Sequence, residues 1–181
     1  MTLSLRAKIT LAVLIVVGIA VFLLIVDLGV NAGRIHHGVH VTDMDLGGLT
    51  REEAVERLFD RGLELQEAPV IVTRENVSCH FVPTELGWEA KPFETAVAAY
   101  RIGRGELPLK ALGVRIRAWF SGVTIDWADE FNAAAVSRLL DRCEFHAEAV
   151  GYEVRRYRLR QKLARAITTW PRRPVNIPIR T

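Results

Sequence analysis

The hydrophobic pattern of the chain is divided between its first segment and everything after it. Ile9 to Val26 is a run of 18 residues without a charge, in which Thr10 is the only polar side chain. A helix rises about 1.5 Å per residue, so the run spans roughly 27 Å, close to the hydrocarbon thickness of a bilayer. Because backbone groups in lipid must bond within their own segment, we predict a transmembrane helix over residues 9–28.

The charges that flank this run predict its orientation. Arg6 and Lys8 precede it, whereas Asp27 and then Arg34 follow it. The positive-inside tendency therefore places residues 1–8 in the cytoplasm and the rest of the chain outside the cell membrane, as a single-pass protein. A signal peptide cleaved near residues 30–32 is the alternative, although the apolar core of a signal peptide usually has only about 7–15 residues.

The segment after the helix begins with a short linker and then alternates between strand and helix signals. Residues 29–38 read as the linker, with exposed histidines, and residues 39–44 alternate as one strand would. Thr50 is followed by Glu53 three residues later, a capping box that opens a helix. We expect Gly62 to end that helix.

Two β-rich runs, residues 70–73 and 77–82, predict a hairpin that ends at Pro83. A second helix is predicted to begin near Pro92 and to end at the Gly103-Arg104-Gly105 segment. Its expected apolar side consists of Phe93, Val97 and Tyr100.

The last third of the chain continues the mixture of strands and helices. The predicted elements are a strand over 114–119, a turn at 121–122, a strand over 123–127, helices over 131–142 and 157–170, and a strand over 175–179. Helices and hairpins alternate without a regular βαβ rhythm, which favours an α+β fold with an antiparallel or mixed sheet. Residues 39–181 are predicted to form one extracytoplasmic domain, in which helix-then-strand recurs at 50–73 and 157–179.

Charge excludes nucleic acid as an expected partner. The 181 residues contain 24 Lys+Arg and 21 Asp+Glu, and two of those positive charges precede the membrane helix. The remainder is therefore nearly neutral, at 22 − 21 = +1. The basic residues concentrate after Arg138, where a solvated helix face or contact with an anionic lipid or wall polymer would explain them.

The cysteines and histidines predict neither a metal site nor a cofactor. Cys79 and Cys143 are the two cysteines, and we expect buried thiols, with one disulfide as the alternative in an exported domain. A zinc site made with His80 and His146 matches no compact ligand spacing. The chain also lacks a phosphate-binding glycine loop and a nucleophile elbow, so we expect no enzymatic activity.

Several motifs in order resemble the N-terminal region of VanW-like (YoaR-like) exported proteins. The matching segments are the N-terminal membrane helix, Ile35-His36-His37-Gly38-Val39-His40-Val41, Asp45-Leu46-Gly47-Gly48-Leu49-Thr50-Arg51-Glu52-Glu53-Ala54, Thr84-Glu85-Leu86-Gly87-Trp88 and Tyr100-Arg101-Ile102-Gly103-Arg104-Gly105. The resemblance covers residues 35–125 and implies a peptidoglycan-binding domain. The family often carries a second such domain and a VanW domain, for which this sequence has no counterpart.

A ligand surface is expected where glycine loops let a ligand approach the backbone. One loop is the turn with Asp45, Gly47 and Gly48, and the other holds Gly103. Arg101 and Arg104 could pair with stem-peptide carboxylates, and Trp88 could stack on a sugar ring. The alternative is that Gly103 only ends a helix, that Arg104 is solvated, and that Trp88 lies in the core.

Two functional hypotheses follow from the sequence. The first is a non-enzymatic, membrane-anchored module that binds cell-wall peptidoglycan or its precursors outside the membrane. The second is an assembly factor whose domain docks another membrane or wall protein. A third, an enzyme acting on wall glycans, would need an acid/base pair that the sequence does not display.

Overall fold

A computed structural model describes residues 4–74, 77–105, 108–142, 153–154, 156–169, 174–176 and 179–180. Within these ranges the chain mixes helices with small sheets, as predicted. The helices are α1 (Leu5–Val30), α2 (Arg51–Glu67), α3 (Pro92–Arg101), α4 (Pro108–Ser121), α5 (Ala133–Arg142) and α6 (Arg156–Thr168), with a 3-10 helix at Pro83–Leu86.

The strands are short and belong to four sheets within the described ranges. They are β1 (Val39–Val41), β2 (Met44–Asp45), β3 (Val70–Arg74), β4 (Val77–Phe81), β5 (Glu89–Ala90), β6 (Val123–Ile125), β7 (Asp129–Glu130), β8 (Glu153–Val154), β9 (Val175–Asn176) and β10 (Ile179–Arg180). The sheet orders are β2-β1-β6, β4-β3-β9, β5-β7 and β10-β8. β1 pairs with β6 and β3 with β9 in parallel, so each three-stranded sheet joins an early hairpin to a later strand.

Helix α1 is long and apolar enough to span a membrane. It has 26 residues, none of them buried, and its mean hydropathy reaches 3.3 over an 18-residue window. Ser4 caps its first turn by accepting from the backbone N–H of Ala7. The apolar residues of α1 are not buried against the described part of the chain, which is the state expected of a segment that lies in lipid.

The predicted capping box begins α2. Thr50 Oγ1 accepts from the Glu53 N–H at 3.2 Å, and the Glu53 carboxylate accepts from the Thr50 N–H at 2.8 Å. The predicted end of the helix at Gly62 is wrong, because α2 continues to Glu67. Gly62 is instead a packing residue, since a Cβ there would lie 3.2 Å from the Cβ of Ala90.

Helix α3 starts at Pro92 and ends before Gly103, as predicted, and Tyr100 of its predicted apolar side packs against the core, whereas Phe93 does not. Thr95, Ala96 and Ala99 face the core, whereas Phe93 is 68% exposed. Small residues occupy the buried side because α3 packs closely against α2.

Residues 114–119, predicted as a strand, lie in helix α4. The helix buries Ala118 and the stem of Arg115, and Gly122 at φ +70° ends it with a left-handed residue. Gly38 lies against α4: its carbonyl accepts from Val123 N–H at 2.8 Å, and a Cβ added to it would overlap the Ala118 carbonyl. The strand predicted over 123–127 is confirmed over Val123–Ile125 only, and its partner is β1.

Two predicted strands are each divided in the structure. The run 39–44 reverses at Thr42, which has φ 55°, so β1 and β2 form a tight hairpin with Val41 opposite Met44. The final run divides into β9 and β10, which pair with β3 and β8 respectively. The parallel β3–β9 pair brings together the two strands of the predicted helix-then-strand repeat.

The core draws side chains from positions spread between Ile35 and Ile167. Its largest fully buried members are Trp88, Ile35, Leu46, Leu58, Leu86, Leu163, Ile167 and His36. Ile35 and His36 come from the segment interpreted as a linker, and the expectation that His36 is exposed is wrong. The segment that leaves α1 is therefore part of the packed structure.

Candidate functional site

The last turn of α1 is joined to the domain through the carboxylate of Asp27. Trp119 Nε1 donates to its Oδ1 at 2.8 Å, and Arg115 Nη1 lies 3.5 Å from its Oδ2. The His36 Nε2 is 3.1 Å from Oδ1, and Asn31 Nδ2 donates to the same oxygen at 3.0 Å. The Asp27 side chain is only 11% exposed, because polar partners from α4 and from residues 31–38, the exit segment that follows α1, enclose its carboxylate.

Arg104 holds the exit segment from the other side. Its guanidinium donates to the carbonyls of Tyr100 at 2.6 Å and Asn31 at 2.7 Å, and to the carbonyl of Arg34. Its Cζ also lies 4.0 Å from the centre of the Tyr100 ring. Burial lowers the pKa of Arg104. Both of its terminal nitrogens donate to backbone carbonyls. The predicted bidentate pairing of Arg104 with a stem-peptide carboxylate would therefore compete with these hydrogen bonds.

The glycine turn after β2 lies beside the same exit segment. The Gly47 N–H donates to Asp45 Oδ1 at 2.8 Å, and Gly48 takes φ +80°. Arg34 Nη1 donates to the Gly48 carbonyl at 2.8 Å, so Arg34 joins this turn to Arg104. Both predicted loops are thus bonded to the exit segment, one through Arg34 and the other through Arg104. The Asp45 side chain of the first loop remains 63% exposed.

Gly103 and Arg101 have different surroundings. Gly103 is buried at φ +71°, and its carbonyl accepts from Arg115 Nε at 2.8 Å. A Cβ at Gly103 would lie 2.9 Å from Arg115 Cγ, so the glycine permits α3 and α4 to approach. Arg101 is exposed on the last turn of α3.

Trp88 lies in the core and not on the expected ligand surface. It is 2% exposed, so its ring presents no face on which a sugar could stack. Its Nε1 donates to Asp129 Oδ2 at 2.9 Å, which ties the loop after the 3-10 helix to β7. Burial raises the pKa of Asp129, while the Trp88 hydrogen bond opposes that rise.

A polar cleft of about 180 Å³ opens next to the Trp88–Asp129 pair. Its lining residues are Asp126, Trp127, Asp129, Gln161, Ala164, Arg165 and Thr168. The lining combines the carboxylates of Asp126 and Asp129 with the Gln161 and Arg165 side chains of α6, so the cleft carries both acceptor and donor groups. This cleft is not predicted from the sequence, in which the two acids of Asp126-Trp127-Ala128-Asp129 are its local signal.

A second concave surface lies between α2 and α3 and is apolar. It has a volume of about 550 Å³ and is lined by Arg51, Glu52, Val55, Glu56, Phe59 and Phe93. Phe59 and Phe93 are 54% and 68% exposed, which is unusual for phenylalanine side chains that share one groove. A partner would therefore bind this groove mainly through hydrophobic contacts.

The cysteines and potential metal ligands have definite positions. Cys79, on β4, is disulfide-bonded, so the expectation of a buried free thiol is wrong. Cys143 is the only other cysteine in the sequence, and it lies outside the described residues. Among the described residues, no group of three or more His, Cys, Asp or Glu side chains is arranged to hold a metal ion.

Comparison with known proteins gives no match at any of three levels. No family model matches the chain, and neither a curated protein nor a solved structure matches it.

Proposed function

We propose that this chain is a single-pass, membrane-anchored module whose domain lies outside the cytoplasmic membrane and binds cell-wall peptidoglycan or its precursors. The observation that carries the anchor is α1, a 26-residue apolar helix that buries no residue against the rest of the described chain. Its end is tied to the domain through Asp27, so the helix and the domain would act as one body.

Two features support an extracytoplasmic location of the domain. Arg6 and Lys8 precede the apolar run, which favours a cytoplasmic N-terminus. The disulfide at Cys79 fits an oxidising compartment, because disulfides are rare in the reducing cytosol.

The topology is tested by protease treatment of intact protoplasts that express the full chain with a C-terminal epitope. We expect loss of the epitope without lysis, whereas an epitope that is degraded only after lysis would place the domain inside. The same preparation, resolved without reductant, should contain the oxidised form of the chain.

The polar cleft is the surface best suited to a wall ligand. Peptidoglycan stem peptides carry amides, amines and carboxylates, and its glycan carries hydroxyls. Arg165 could pair with a carboxylate, and Asp126 could accept from an amine or hydroxyl, beside the Trp127 ring. The resemblance to VanW-like proteins supports the same ligand class.

Binding is tested by co-sedimentation of the full chain, in detergent micelles, with purified sacculi. Arg165→Ala should weaken binding, whereas Arg101→Ala, which removes an exposed arginine on α3, serves as the matched control. If only Arg101→Ala weakens binding, the ligand surface is the glycine-loop region predicted from sequence. Failure of the unaltered chain to sediment would contradict wall binding.

Docking of another envelope protein is the second candidate function, and the apolar α2–α3 groove favours it. A photo-crosslinking residue in place of Phe93 should then give one discrete adduct in native membranes, and the same residue in place of Glu94 should give less. Smeared or absent adducts at both positions would contradict this alternative.

A further inference from the structure

Helix α4 buries one side against the domain and exposes an apolar stripe on the other. The stripe consists of Leu112, Ile116, Trp119 and Phe120. Ile116, Trp119 and Phe120 are 51%, 57% and 88% exposed. Residues at these spacings fall on one side of a helix. The Trp119 ring centre lies 5.6 Å from that of His37, yet Ile116, Trp119 and Phe120 each stay more than half exposed, whereas Ala118, on the buried side, is 2% exposed.

The stripe lies where α1 would leave the bilayer. Trp119 Nε1 donates to Asp27 Oδ1, and Asp27 directly follows the apolar run that ends at Val26. The same carboxylate is approached by Arg115, one turn earlier on α4. Helix α4 is therefore attached to the membrane helix at the level of its polar boundary, and not at a distant part of the domain.

The charged residues of α4 are also of the kind found in a membrane interface. Its 14 residues include Lys110, Arg115 and Arg117 and no acidic residue. Lys110 and Arg117 are exposed and flank the stripe, whereas Arg115 is turned inward. A helix with an apolar side, a tryptophan and basic flanks is the kind that lies in a membrane interface, about 5–10 Å deep.

We infer that α4 is an interfacial helix, which lies on the bilayer leaflet where α1 ends and inserts Ile116, Trp119 and Phe120 among the lipids. This inference rests on the proposed role of α1 as a membrane anchor. It adds a second lipid contact, which would fix the tilt of the domain against the membrane. The basic flanks would face phosphate headgroups, with anionic lipids strengthening the contact.

The test places a tryptophan at two exposed phenylalanine positions in the full chain with Trp119→Phe as background. Phe120→Trp reports on the stripe, and Phe93→Trp, at the far end of α3 from the exit segment, is the matched control. Each protein is reconstituted into vesicles of phosphatidylcholine and phosphatidylglycerol, with or without bromine on the upper acyl chains. The background protein is measured in parallel and its emission is subtracted.

We expect the emission added by Phe120→Trp to be shifted to the blue and largely lost in brominated vesicles. The emission added by Phe93→Trp should stay at the wavelength of a solvated indole and lose little. Equal quenching at both positions, or none at position 120, would overturn the inference.

Alkaline washing of the same vesicles separates the two proposals. Protein that resists the wash without quenching at position 120 retains the anchor and refutes only the interfacial helix. Protein that is washed off refutes both.

Discussion

Substitution of Gly38 should show how strongly the exit segment depends on close contact with α4. Gly38 has φ +76°, a conformation that costs other L-residues roughly 1–2 kcal/mol. A Cβ at this position would lie 2.0 Å from the Ala118 carbonyl oxygen and 2.9 Å from its carbonyl carbon. These are backbone atoms, so no side-chain rotation can relieve the overlap, and α4 itself would have to move.

The expected cost of Gly38→Ala is therefore the sum of two contributions. The conformational cost of roughly 1–2 kcal/mol adds to an overpacking cost of about 1–3 kcal/mol, giving about 2–5 kcal/mol. Gly33→Ala is the matched control, because Gly33 lies in the same segment at φ +72° with no atom within 4 Å of a Cβ. Gly33→Ala should cost only the conformational part.

The measurement is urea unfolding of the full chain in detergent micelles, followed by tryptophan emission. With a urea slope of about 1–3 kcal/mol per molar, an extra cost of about 2 kcal/mol lowers the midpoint of Gly38→Ala by roughly 1 M relative to Gly33→Ala. Equal midpoints for the two variants would refute the packing of Gly38 against α4.

Three further predictions concern the domain. Thr50→Ala should cost about 1 kcal/mol in the same unfolding experiment through loss of the capping box, and no loss would contradict it. Burial raises the pKa of Asp129 above its ordinary 3.8, so stability from this group is complete below that pH and is lost as the pH rises through the raised pKa. Asp129→Asn, which can still accept from Trp88, should reduce the dependence of the melting temperature on pH over that window. An unchanged dependence of the melting temperature on pH would refute this prediction. Reduction of the Cys79 disulfide should destabilise the chain by about 2–4 kcal/mol, and identical melts with and without reductant would contradict this.

The elements that the sequence predicted well carry strong local signals. The apolar run and the Thr50–Glu53 capping box each determine their structure within one segment, without help from distant contacts. The hairpin of residues 70–81 is similarly local, because its strands are rich in β-branched residues and separated by a short turn. The strand predicted over residues 114–119 is wrong, because six residues are too few to distinguish an alternating period from a helical one.

Tertiary contacts decided the remaining features. Gly62 would normally end a helix, but the approach of Ala90 makes a glycine useful in the interior of α2. Helical spacing places Phe93 on one apolar side with Val97 and Tyr100, yet α3 packs mainly through the small residues Thr95, Ala96 and Ala99. The burial of Trp88 and the bonding of Arg104 to three carbonyls depend on partners 41 and up to 73 residues away, which no local pattern reveals.

The bonded exit segment limits how far the domain can move from the end of α1. Residues 31–38 are tied by Asp27, Arg104 and the buried Ile35, so no slack tether separates the end of α1 from the domain. A domain of about 150 residues has a radius of gyration of roughly 15 Å, so every surface of it would stay within a few tens of ångströms of the bilayer. A wall ligand of the proposed module would therefore have to be bound close to the membrane surface, and not in the outer layers of a mature wall.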